Sequence, residues 1–191
     1  QLDTVPANKL NYVKSTAESL IASQNYAAAG KWYAKILDLK KDYGKVDLYY
    51  AGYNYYRGGA YQQADSIFTI YENKYPEDMF GWYLAARSKE GIDTTGEQGL
   101  AKPDYEKIIM LADTVQDKQS IKDKLIPAYR YMVAYYYNIK HDRDSSILYN
   151  NKILEIDSAD ATALKTKDAL SAVPKQKATT EQPKTPAKKN K

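Results

Sequence analysis

The chain has 191 residues, 43% of them hydrophobic and 27% charged, enough for one domain with a substantial buried core. Its formal net charge is +4, and it has no cysteine, which excludes disulfides, thiol catalysis and cysteine-based zinc sites. No run approaches the roughly 18 consecutive apolar residues of a membrane-spanning helix, so none is expected.

From residue 10 the apolar spacing is three and four, not two, which predicts helices and no strand. In residues 10–43, Val13, Thr16 with Ala17 and Leu20 line a first helix, and Tyr26, Ala29, Tyr33 and Ile36 a second. Gln24 stands at their turn, where glycine is the commoner choice. Residues 45–78 repeat this rhythm most clearly. Leu48, Ala51 with Gly52 and Tyr55 share one helical face, Gly59 and Tyr61 mark the turn, and Ala64, Phe68 and Pro76 follow. A third unit restarts over 79–118, with Trp82, Ala85 and Ala86 on a helix of about 79–90. Its matching aromatic is Tyr105, so the inter-helix loop, GIDTTGEQGLAKP, is about ten residues longer than in the second unit and rich in turn formers. Pro103 suits the first turn of the helix that follows.

A fourth unit spans roughly 121–158, with Val133, Ala134 and Tyr137 expected to pack from its first helix. Ser146, Tyr149, Ile153, Leu154 and Ile156 belong to its second. A last helix over 161–172 has apolar residues on one face and lysines on the other. Residues 174–191 hold six lysines against Glu181, a balance of +5 that leaves the preceding 173 residues near −1. That tail has three prolines and no aromatic or large aliphatic residue, so it is expected to be disordered. A weak contact with anionic surfaces is its functional alternative. Without a basic footprint on the folded part, no nucleic-acid partner is expected.

These residues, above all 45–78, resemble the 34-residue tetratricopeptide repeat (TPR), with its large apolar residue, small pair, aromatic, alanine, aromatic and proline at fixed offsets. The resemblance covers about residues 10–172 and implies an all-α, right-handed α-solenoid of helix hairpins. On this reading residues 1–173 form the repeat domain, with 161–172 as the capping helix that covers an open end. The tyrosine-rich style is similar to that of repeat proteins from bacterial envelopes. With Gln1 in place of Met and no cysteine, it sets the expectation of a periplasmic or envelope-associated protein, the cytoplasm being the alternative.

The chain has 20 tyrosines and two phenylalanines, an imbalance that a plain apolar core does not require. Tyrosine joins a rigid apolar body to a hydroxyl that favours a wet edge, and so suits binding surfaces. Tyr49, Tyr53 and Tyr56, at i, i+4 and i+7, fall on a face about 100° from the packing face of their helix. The resemblance implies that this face of each first helix lines a concave groove. The equivalent places are Lys14, Glu18 and Ile21, then Phe80, Tyr83 and Arg87, then Tyr131, Tyr135 and Asn138. Arg57, Arg87 and Asn138 punctuate a tyrosine-walled surface suited to a peptide or protein partner, with the arginines available for a carboxylate. The alternative for each tyrosine is packing between neighbouring first helices.

Other chemistry finds little support. His141, the single histidine, sits in a charged turn beside Asp142 and Asp144, where a solvated role is the simpler reading than metal ligation or base catalysis. Neither calcium-loop nor phosphate-loop spacing occurs in 91–102. The expectation is a non-catalytic binding scaffold with no cofactor and no metal. Two alternatives stand beside it: a carbohydrate-binding envelope protein that stacks sugars on aromatic faces, and the stacking, capping end of a longer array.

Overall fold

The computed structural model describes residues 6–172, and the expectations for 1–5 and for the basic tail lie outside the described residues. Among the described residues nine α-helices follow one another: α1 (Pro6–Ala22), α2 (Tyr26–Leu39), α3 (Lys45–Arg57), α4 (Tyr61–Lys74), α5 (Met79–Ile92), α6 (Lys102–Ala112), α7 (Lys122–Asn138), α8 (Arg143–Ile156) and α9 (Ala161–Ala172). A 3-10 turn, Lys118–Ile121, leads into α7. Each helix packs on its neighbours in sequence, and α5 also touches α3 and α7. The chain is therefore an α-solenoid in which first helices form one layer and second helices the other.

The hairpins are started by side chains that satisfy exposed helix-end amides. The Gly44 amide donates to Asp47 Oδ2 at 3.0 Å, and the Lys40 ammonium donates to the same carboxylate at 2.7 Å. Asp78 caps α5 by accepting from Phe80 N at 3.0 Å. It also accepts from the Tyr71 hydroxyl at 2.9 Å and from Lys45 at 2.7 Å, which ties α3, α4 and α5 together. Asp142 caps α8 through Ser145 N at 3.0 Å.

The inward faces of the first two units match the spacing read from the sequence. Val13, Ala17, Ala29, Tyr33 and Ile36 are buried, as are Leu48, Ala51, Ala64 and Phe68. Gly52 lies under the Phe68 ring, where an added Cβ would come within 2.7 Å of Cζ. In the third unit Ala85, Ala86, Tyr105 and Ile108 are fully enclosed, and α5 runs two residues further than expected, through Gly91 and Ile92.

The fourth unit corrects one expectation. Its first helix turns Leu125, Ala128, Tyr129 and Met132 inward, while Ala134 and Tyr137 lie in solvent and Val133 is half-buried. At 17 residues α7 is longer than α3, and its sequence offers two apolar faces one turn apart. The earlier face takes Leu125 and Met132 out of water, more aliphatic surface than Val133 and Ala134 offer, so it wins. Ser146, in the place where alanine is usual, is buried and donates to the Val133 carbonyl at 3.1 Å.

One charged cluster is buried between α4, α5 and α6. Lys89 reaches Asp104 Oδ2 at 2.6 Å and Asp65 Oδ1 at 3.4 Å, and Glu72 beside them leaves Oε1 without a hydrogen-bond partner. Burial, with Asp104 and Asp65 adding to it against Lys89, pushes the Glu72 carboxyl up to about 8.

The turns after α1 and α3 share one geometry. Asn25 N donates to Leu20 O and Ala60 N to Tyr55 O, each closing five residues back around a left-handed residue. That residue is Gly59 at φ 73° in one turn and Gln24 at φ 60° in the other. Gln24 carries the Cβ–carbonyl conflict that glycine avoids. Gln24→Gly is expected to raise stability by roughly 0.5–1 kcal/mol in urea unfolding. The second expectation concerns pH. Native Glu72 keeps its proton between the ordinary carboxylate range and about 8, while the unfolded chain has lost it. This group's contribution therefore favours the native state at low pH and declines as pH rises through that window. Unfolding measured at pH 5, 6.5 and 8 should show Glu72→Gln gaining on the parent protein as pH rises.

Candidate partner-binding surface

The layer of first helices presents a row of aromatic side chains. On α3, the Tyr49 and Tyr53 ring centroids are 5.1 Å apart with planes 13° from parallel, and Tyr53 and Tyr56 follow at 6.4 Å and 24°. All three are half-buried. Because the rings lie against one another, their faces are largely used within the row, and edges and hydroxyls remain outward. Phe80 of α5 closes one end, 5.4 Å from Tyr49 and 6.3 Å from Tyr71. Tyr83, one turn further on, is half-buried against both the first and second core clusters. The row starts at α3, since the corresponding places on α1 hold Lys14, Glu18 and Ile21.

The arginines sit differently from each other. Arg57 is exposed, lies 3.8 Å over the Tyr26 ring and 5.9 Å from the Tyr53 ring, and makes no ion pair among the described residues. Arg87 is half-buried and already paired with Glu90 one turn along α5. Burial works against its charge, but Glu90 and the Tyr56 hydroxyl outweigh that and hold the guanidinium protonated more firmly than usual. Burial raises the Glu90 carboxyl, with Arg87 opposing. The Tyr105 hydroxyl lies against this pair, fully enclosed and without a hydrogen bond of normal geometry. A ligand carboxylate would thus meet a free cation at Arg57 and a neutralised one at Arg87.

On α7, Tyr131 and Tyr135 repeat the stacking of α3, 6.2 Å apart and 14° from parallel. Tyr131 also leans on Tyr105 at 4.9 Å, and its hydroxyl is buried without a partner. Burial, with Asp93 and Glu90 nearby, pushes that phenol up to about 12. Lys102 and Lys140 hold their ammonium groups 5.8 and 5.6 Å from the Tyr135 ring centre. Asn138 is exposed at the end of the helix. The structure therefore brings Tyr49, Tyr53, Tyr56, Phe80, Tyr83 and Arg87 together across α3 and α5. Tyr131, Tyr135 and Asn138 form a second group, at the segment 93–101.

Two participants are absent from the residue set expected from sequence. Glu90 stands at i+3 from Arg87, a spacing that signals a helix ion pair and could have been read. The role of 93–101 as a wall beside α7 had no local signal. His141 sits exposed in a left-handed turn at φ 52°, and no cluster of three or more His, Cys, Asp or Glu suited to a metal occurs among the described residues. None of the described helices is long and apolar enough to cross a membrane.

No protein-family model matches this chain, and no curated protein does. Among solved structures, the C-terminal part of a TPR repeat-containing protein from Cytophaga hutchinsonii is similar, with a TM-score of 0.71 at 27% sequence identity. The match covers 83% of this chain and 60% of that one, so the chain corresponds to only part of its solved neighbour. The repeating helix hairpins, their small and aromatic contact residues and this structural likeness agree: the chain has an α-solenoid fold similar to that of tetratricopeptide repeat proteins.

Proposed function

We propose that the protein is a non-catalytic scaffold that binds a peptide or protein partner along its first-helix layer, over Tyr49, Tyr53, Tyr56, Tyr83 and Arg57. The observation that carries this reading is the parallel stacking of the tyrosines on α3. Stacked rings offer an edge of hydroxyls, which suits the amide groups of an extended polypeptide. They withhold the open ring faces on which sugars stack, and this weighs against the carbohydrate alternative. Affinity would come from desolvating the tyrosine edges, with the unpaired Arg57 guanidinium favouring an acidic group on the ligand.

The test separates ring from hydroxyl. A displayed library of random peptides is selected on the full chain, and the enriched peptides are then measured on variants. Tyr53→Phe keeps the stack, so helicity and melting should be unchanged while binding weakens by about 0.5–1.5 kcal/mol for the engaged hydroxyl. Tyr53→Ala should cost binding about 1–3 kcal/mol. Enriched peptides that bind a Tyr49/Tyr53/Tyr56 triple phenylalanine variant as well as the parent would remove this surface from the reading. A library that yields no enriched peptide would remove the reading itself.

A further inference from the structure

The long segment between α5 and α6 is a built element. Three tight turns follow in succession: Gly96 N donates to Asp93 O, Gly99 N to Gly96 O and Lys102 N to Gly99 O, at 3.0–3.1 Å. The buried Asp93 side chain crosses the segment to accept from Leu100 N at 3.3 Å. Gly96 and Gly99 hold φ of 72° and 66°, values that glycine adopts without the Cβ conflict of other residues. The result lies on α7 so closely that a Cβ at Gly99 would come within 2.8 Å of the Tyr135 ring.

Segment and helix do not meet everywhere. Between them lies a cavity of about 60 Å³, with Thr95 and Gly96 on one wall and Ala134 and Ile139 on the other. Three of the groove residues expected from sequence, Tyr131, Tyr135 and Asn138, complete it. The lining is mostly carbon, and the cavity continues the stacked surface of α7. Its size limits the occupant. An apolar cavity of about 150 Å³ accepts benzene, so this one has room for roughly two or three carbons. One cation stands beside it: Lys140 lies 5.6 Å from the Tyr135 ring centre and makes no ion pair among the described residues, while Asp93 and Glu97 belong to the opposite wall's segment.

The geometry points to a socket for one small aliphatic side chain, valine-sized, of a bound polypeptide that carries an acidic residue beside it. This rests on the peptide-binding reading above and adds a specific anchor to it. The added segment turns an open end of the groove into a pocket. Apolar burial of the anchor supplies the attraction, and Lys140 selects its neighbour.

The experiment uses the full chain and the same random-peptide library, selected in parallel on the parent protein and on Ala134→Leu. Ala134 is exposed, so the added carbons fill the cavity from the solvent side and melting should not change. Peptides enriched on the parent should share a small aliphatic residue at one position with Asp or Glu adjacent. They should bind Ala134→Leu at least about tenfold more weakly, the scale of losing roughly two buried methylenes. Lys140→Glu should remove the acidic preference and keep the aliphatic one. Enriched peptides without a fixed aliphatic position, or with equal affinity for Ala134→Leu, would overturn the socket while leaving the groove reading in place. No enriched peptide on either protein would overturn both. Self-association of the parent in sedimentation, lost in Ala134→Leu, would overturn the peptide occupant in favour of a second copy of this chain.

Discussion

The fold depends on one kind of contact, a small residue on one helix seated beneath an aromatic ring of a neighbouring helix. Gly30 of α2 lies under Tyr55 of α3, Gly52 of α3 under Phe68 of α4, and Gly81 and Gly91 of α5 under Tyr71 and Tyr61 of α4. At each place an added Cβ would come within 2.8 Å of an atom of the aromatic residue. Such pairs let helix axes approach closely while each ring covers the neighbouring backbone. They recur from α2 to α5, so successive hairpins stack with the same close fit. In the third unit Ala86 joins the core that contains the enclosed Tyr105 ring, while Ala85 belongs to the core of the preceding units.

That packing has a consequence for the opposite face. With small residues and rings committed to the interior, Tyr49, Tyr53 and Tyr56 of α3 and Tyr131 and Tyr135 of α7 are held half-buried in two stacked rows. The rows are firm because stacking and the neighbouring Phe80 and Tyr105 rings fix them. A surface of rigid rings with free edges loses little side-chain entropy when it binds, which is the physical advantage of tyrosine over longer polar residues. The opposed behaviour of the two arginines belongs to the same economy of space. Arg57, at the end of α3, finds only ring faces, whereas Arg87 has Glu90 one turn away and enough burial to require it.

Legibility differed between residues. The inward face of the second unit was readable because Leu48, Ala51 and Gly52 fall at helical spacing and have no competing apolar face. On α7 the same logic led to Val133, Ala134 and Tyr137, because the helix carries apolar residues on two faces and spacing alone does not say which one the neighbouring helices cover. The left-handed turn at Gln24 was legible as an oddity from its place in the repeat. The same position in the following hairpin holds Gly59.

By itself the sequence determined the helical period, the hairpin repeat and the tyrosine stripe on α3, because each is set by spacing within one or two turns of chain. Tertiary structure decided which of two faces α7 buries, which arginine is already paired and where the segment 93–101 lies. These depend on atoms brought together from separate helices: the Tyr105 hydroxyl against Arg87 and Glu90, and Gly99 against Tyr135. Spacing along one helix carries no information about the partner that arrives from another, so the stripe could be read in advance and the pocket at its end could not.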